Sequence, residues 1–87
     1  MKTDNYVKLV DANYVKDYTV ELHFSDDTVR QIDFGRFLFN HPHPQHDKYR
    51  DLRNFRKFKI DHNNLVWGKN WDLEFDLSKL YKGISPK

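Results

Sequence analysis

Tyr18, Val20, Leu22 and Phe24 alternate with Thr19, Glu21 and His23, the clearest periodicity in the chain. A period of two puts successive side chains on opposite faces of an extended backbone, so this segment predicts a strand with one buried face. Ser25-Asp26-Asp27 follows as a turn, because short polar side chains satisfy neighbouring backbone groups. Thr28-Val29-Arg30-Gln31-Ile32 then resumes a β-favourable run, which makes a hairpin. Upstream, Tyr6-Val7-Lys8-Leu9-Val10 predicts a first strand, set off by Asp11-Ala12-Asn13, and the three form a meander.

The pattern changes from Phe34. Gly35-Arg36-Phe37-Leu38-Phe39 is apolar but short for a helix, and His41-Pro42-His43-Pro44 bars regular structure because proline lacks an amide donor and restrains its predecessor. Gln45 to Asn54 predicts a short helix, with Tyr49, Leu52 and Phe55 at three-residue spacing. Phe58 and Ile60 begin another strand, His62-Asn63-Asn64 turns the chain, and Leu65-Val66-Trp67 pairs back. Trp71, Leu73, Phe75 and Leu77 alternate with acids, yet Asp76 also stands as an N-cap before Leu77–Lys82, with Gly83 as a stop. The expected outcome is a strand ending near Phe75 and then a helical turn. The fold class is therefore α+β: a small antiparallel sheet of about five strands, a meander plus a C-terminal hairpin, with two or three short helices. It forms one domain over residues 1–87, with 81–87 a tail.

Length and composition narrow this further. At 87 residues there is room for one core, and the 16% aromatic content supplies rings where aliphatic residues are few. Without cysteine there is no disulfide, thiolate metal site or thiol nucleophile. No apolar run approaches the ~18–20 residues of a membrane span, and the start has no apolar leader, so a cytoplasmic location without membrane attachment is the expectation. The net charge of +2 is unevenly spread: residues 1–33 carry four Lys/Arg against seven Asp/Glu, residues 34–60 seven against two, and residues 61–87 four of each. A basic middle implies either an anionic partner or complementarity with the acidic first third, the plainer reading for a small domain.

Candidate chemistry concentrates in that middle. Lys48, Arg50, Arg53, Arg56, Lys57 and Lys59 interleave with Tyr49, Phe55 and Phe58. Cations neutralise phosphates and exposed rings stack on bases, the pairing a nucleic-acid surface needs. Leu52, Phe55, Phe58 and Ile60 however have core-like spacing, which leaves the charges outside to meet a protein partner or solvent. Trp67 belongs to the core, whereas Trp71 is a candidate anchor for a partner. His41, His43 and His46 are weak candidates for a metal, since imidazole ligates zinc, copper or nickel but a site needs three or four converging ligands. Asp72, Glu74 and Asp76 would line one solvated strand face, and Asp33 and Asp61 would cap the turns that follow them. Serines lie only in a turn, a terminal helix and a tail, and the three glycines are scattered. Nothing here composes a catalytic constellation, so no enzyme activity and no cofactor are expected.

Several short matches in order, from about Val7 to Tyr81, resemble the bacterial family catalogued as domain of unknown function 2442. Phe24-Ser25-Asp26-Asp27 resembles its hairpin turn, where an Asp-Gly pair is usual, and Ile32-Asp33-Phe34 its aspartate between apolar residues. Leu52, Phe55, Phe58, Ile60 and Asp61 resemble its short helix and following strand, Val66-Trp67 and Asp72-Leu73 its tryptophan-centred strand, and Leu80-Tyr81 its closing pair. Asp27 departs from the glycine, and Phe75 stands near where a proline often opens the last helical turn. The resemblance implies an α+β domain. Some members carry an added helix-turn-helix region, for which a chain ending at Lys87 has no room, and some lie beside small toxin-like genes. It supplies no catalytic residue. The expectation is a non-catalytic interaction module for a small protein partner, in the toxin–antitoxin-like pair that the resemblance implies. The alternative is a nucleic-acid-binding accessory protein. Either would be a monomer or, through an open sheet edge, a weak homodimer.

Overall fold

The computed structural model describes residues 7–69 and 71–87. Tyr6, expected to open the first strand, lies outside them. Strands β1 (Leu9–Lys16), β2 (Thr19–Phe24) and β3 (Val29–Asp33) form one antiparallel sheet in the order β1-β2-β3. Asp11 and Asn13, expected to separate the strands, instead lie within β1, opposite His23 and Glu21. They mark the solvent face of a strand, and the turn falls at Asp17, which takes φ 46. Tyr18 therefore sits in the turn, and β2 buries Val20, Leu22 and Phe24 as its alternation requires. Register shifts at either end of β1 leave Val10 and Val15 exposed, and such irregularities twist an edge strand away from further pairing.

Among the described residues the short helices number four rather than two or three. Helix α1 (Gly35–Asn40) begins where Asp33 accepts from the Gly35 amide at 2.8 Å, the capping role expected of it. Pro44 opens α2 (Pro44–Asp47) at a position whose amide would have no helical partner, and His43 Nδ1 accepts from the Gln45 amide at 3.1 Å. The expected helix from Gln45 to Asn54 is broken at Asp51, which is extended (φ −76°, ψ 119°). Its carboxylate caps α3 (Leu52–Phe55), leaving a single 3₁₀ turn at Lys48–Arg50 between the two helices.

The C-terminal strands make a second three-stranded sheet, β4 (Lys59–Asp61), β5 (Asn64–Trp67) and β6 (Leu73–Glu74), in the order β4-β5-β6. Among the described residues, six strands in two sheets thus replace about five in one. The β4–β5 turn places His62 and Asn63 at φ 51 and 68, the pair of left-handed residues that a two-residue hairpin of this twist needs. The long alternation from Trp71 to Leu77 gives only a two-residue strand, because Trp71 is itself left-handed (φ 54) and Asp76 caps α4 (Leu77–Tyr81). Gly83 ends that helix at φ 81, with its amide bonded to Leu80 O and that of Ile84 to Lys79 O. Tyr81, counted with the tail by sequence, closes α4 and packs its ring edge-on to Phe24 at 5.1 Å.

Aromatic rings join the two sheets. Phe55, with no exposed surface, meets Tyr18 of the first turn at 5.3 Å and Trp67 of β5 at 5.4 Å. Phe34 lies against Trp67 and Phe75 at 5.3 and 4.9 Å. The buried Trp67 indole donates to Phe55 O at 2.7 Å, so the largest core side chain is both packed and satisfied. Leu52 and Ile60 are each 36% exposed, contrary to their core-like spacing. Both lie in elements of only three or four residues, where one turn of helix or one edge strand has too little length to turn every apolar position inward. Among the described residues, no helix is long and apolar enough to cross a membrane.

Candidate functional site

The broken helix divides the basic segment. Arg50 Nε donates to Leu38 O at 3.1 Å, its guanidinium lies 5.3 Å from the Phe39 ring, and its own carbonyl accepts from the Tyr18 hydroxyl. Arg53 bonds the carboxylate of Asp51 through Nε and Nη2 at 3.2 and 2.8 Å. That contact holds the Asp51 carboxyl below its ordinary range and raises the guanidinium. Arg56 stacks over Tyr14, 4.7 Å from the ring centre. All three arginines therefore have partners within the chain, although Arg53 and Arg56 remain exposed.

The lysines are arranged differently. A cleft of about 530 Å³ opens between the 3₁₀ turn, the start of β4 and the loop after β5. Lys48, Lys57, Lys59 and Lys69 line it, together with Tyr49 and Asp72. Lys48 Nζ lies 3.0 Å from Asp72 Oδ2, and the Tyr49 hydroxyl donates to the same oxygen at 3.0 Å. The Lys48 bond, then that of Tyr49, keeps the Asp72 carboxyl below its usual range, while burial and then the carboxylate push the Tyr49 hydroxyl up. Among the described residues, Lys57, Lys59 and Lys69 make no ion pair, and all three are exposed.

Gly68 fixes the back of this cleft. It takes φ 85, and a Cβ there would stand 2.6 Å from Asp72 Oδ2 and 2.7 Å from the Tyr49 hydroxyl. Only glycine lets the loop turn left-handed and approach that pair. The same turn carries Lys69 back over the cleft. Lys69 is outside the basic segment, and its one sequence signal is the glycine directly after a strand-forming Leu-Val-Trp run.

The remaining candidates are placed elsewhere. Trp71 is half-buried and its indole donates to Asp61 Oδ2 at 3.0 Å, while Asp61 Oδ1 lies 3.0 Å from His62 Nδ1, so both oxygens of the expected turn cap are engaged by side chains. Tyr49 and Phe55 are buried and Phe58 half-buried, so the rings of the basic segment are not open for stacking. Asp72, Glu74 and Asp76 do not share a face: Asp72 turns into the cleft, Glu74 lies in β6 opposite Val66 of β5, and Asp76 caps α4. His43 and His46 stack at 5.1 Å while His41 and His46 both flank Phe37. Among the described residues, no three His, Cys, Asp or Glu side chains form a group able to hold a metal.

Among the described residues, no ion pair joins the acidic first third to the basic middle. Among the described residues, the ion pairs of the middle are local, Arg50–Asp47 and Arg53–Asp51, or reach forward from Lys48 to Asp72.

Residues 9–86 match the family described as protein of unknown function (DUF2442). The chain belongs to the DUF2442 family. No curated protein and no solved structure matches it. The DUF2442 match spans both sheets and all four helices, so it includes every residue of the lysine cleft.

Proposed function

We propose that this DUF2442 chain is a non-catalytic interaction module that engages a small acidic protein partner through the exposed face around Lys57, Lys59 and Lys69. The observation that supports it is the division of cations: each arginine of the segment is engaged by a carbonyl, carboxylate or ring of this chain, while these three lysines are exposed and make no ion pair among the described residues. The toxin–antitoxin-like setting rests on the family resemblance alone.

Affinity capture from native extract, with and without nuclease, tests this reading. One stoichiometric acidic protein should be retained after nuclease and lost, by about tenfold or more, from the doubly reversed Lys57→Glu/Lys59→Glu chain. Equal recovery by that variant sinks the assignment of the face. Recovery that vanishes with nuclease and falls steeply with salt favours the nucleic-acid reading instead. The buried rings weigh against that alternative, since base stacking needs an open aromatic face.

A further inference from the structure

We infer that the lysine cleft is a binding site for a small oligophosphate, a ligand with two or more linked phosphate groups. This goes beyond the protein-partner reading and does not depend on it. Three features of the cleft carry it. Its volume of about 530 Å³ lies within the ~300–1,000 Å³ range typical of small-molecule sites. Its cations are all lysines, four against the single carboxylate of Asp72. That carboxylate is already held by Lys48 and Tyr49, so Lys57, Lys59 and Lys69 supply unbalanced positive charge at the rim.

The choice of lysine over arginine selects the ligand. A guanidinium fork recognises a planar carboxylate in two parallel bonds, and among the described residues such a pairing is confined to Arg53 and Asp51. Three mobile ammonium groups around one cleft instead suit a compact, highly charged anion with oxygens pointing in several directions. Linked phosphates meet that description, each bringing one to two negative charges. Asn54, on the same wall, has its side-chain Nδ2 bonded to Lys48 O at 3.0 Å. Recognition is therefore electrostatic. Gly68 keeps the floor clear, because any Cβ there would press on Asp72 and Tyr49.

The test is an amide NMR titration of the full chain with inorganic pyrophosphate, against sodium chloride at matched ionic strength. Saturable shifts are expected at Lys57, Lys59, Gly68 and Lys69, with a Kd below about 1 mM. Lys57→Gln/Lys59→Gln/Lys69→Gln should weaken binding by about tenfold or more. These exposed positions leave the core untouched, so retained amide dispersion shows that the variant is folded. Lys79→Gln/Lys82→Gln, on and just after α4 and outside the cleft, should bind as the parent does. The inference is overturned if sodium chloride reproduces the shifts or if no saturation occurs by about 10 mM. It is equally overturned if both variants lose binding alike, or if a single-stranded oligonucleotide binds while pyrophosphate does not. Loss of protein capture with retained pyrophosphate binding would reject the partner reading and leave this one standing.

Discussion

Asp72 is the residue on which the cleft turns. One carboxylate oxygen receives both the Lys48 ammonium and the Tyr49 hydroxyl at 3.0 Å, and only 15% of the side chain is exposed. Bonds to the charged form depress its pKa in the folded chain. The unfolded chain, with an aspartate near ~3.9, takes up the proton first as pH falls. The stabilisation is therefore complete above that value and is lost as pH drops through the lower folded one. Asp72→Asn should cost about 1–2 kcal/mol at neutral pH by removing charge-assisted bonds. The gap between parent and variant should close on acidification toward pH ~3. Denaturant titrations at several pH values check this, and a gap independent of pH would mean that the contact acts through packing alone.

Among the elements, hairpin β2–β3 shows how sequence and family pattern bear on one backbone angle. The Asp27 amide bonds Phe24 O at 3.0 Å, closing a turn, and Asp27 then takes φ 70 before the ladder resumes. A three-residue hairpin loop uses a left-handed residue at that point, which is where the family pattern usually has glycine. Aspartate tolerates the angle but not freely, whereas glycine adopts it without steric cost while losing more entropy on folding. Asp27→Gly should thus stabilise the chain by a net of about 0.5 kcal/mol, read as a higher denaturation midpoint. A lower midpoint would show that the aspartate side chain contributes more to the turn than its backbone angle costs. The strict alternation of β2 was legible because one face of that strand is buried end to end. The short elements were not. Asp51 looks like a helix residue in sequence but adopts an extended angle and caps α3, and the Trp71–Leu77 alternation is overridden by a left-handed Trp71. Of the cleft, the basic segment was visible as charge. Which cations stay free was not, since that depends on Tyr14, Leu38 and Asp72, all distant in sequence.

At the scale of the whole molecule, the question is what makes two small sheets one folding unit. Surface charge is a weak answer, because the ion pairs are short-range, largely exposed and screened by salt. The aromatic cluster is a stronger one. Phe55 stands between Tyr14 and Tyr18 on the first sheet's side and Trp67 on the second, and its own carbonyl receives the Trp67 indole. Truncating a buried phenylalanine costs about 3–5 kcal/mol through lost transfer energy and a residual cavity. A chain of this size has about 4–13 kcal/mol in total. Phe55→Ala should therefore remove a large share of the stability, and remove it from both sheets together. The measurement is paired denaturation of parent and variant, following tryptophan fluorescence for the second sheet and an amide of β2 by NMR for the first. Coincident transitions, both shifted to lower denaturant in the variant, are expected of one cooperative core. Two separated transitions in the parent would mean that each sheet folds on its own, and that the rings between them join two stable parts without making one.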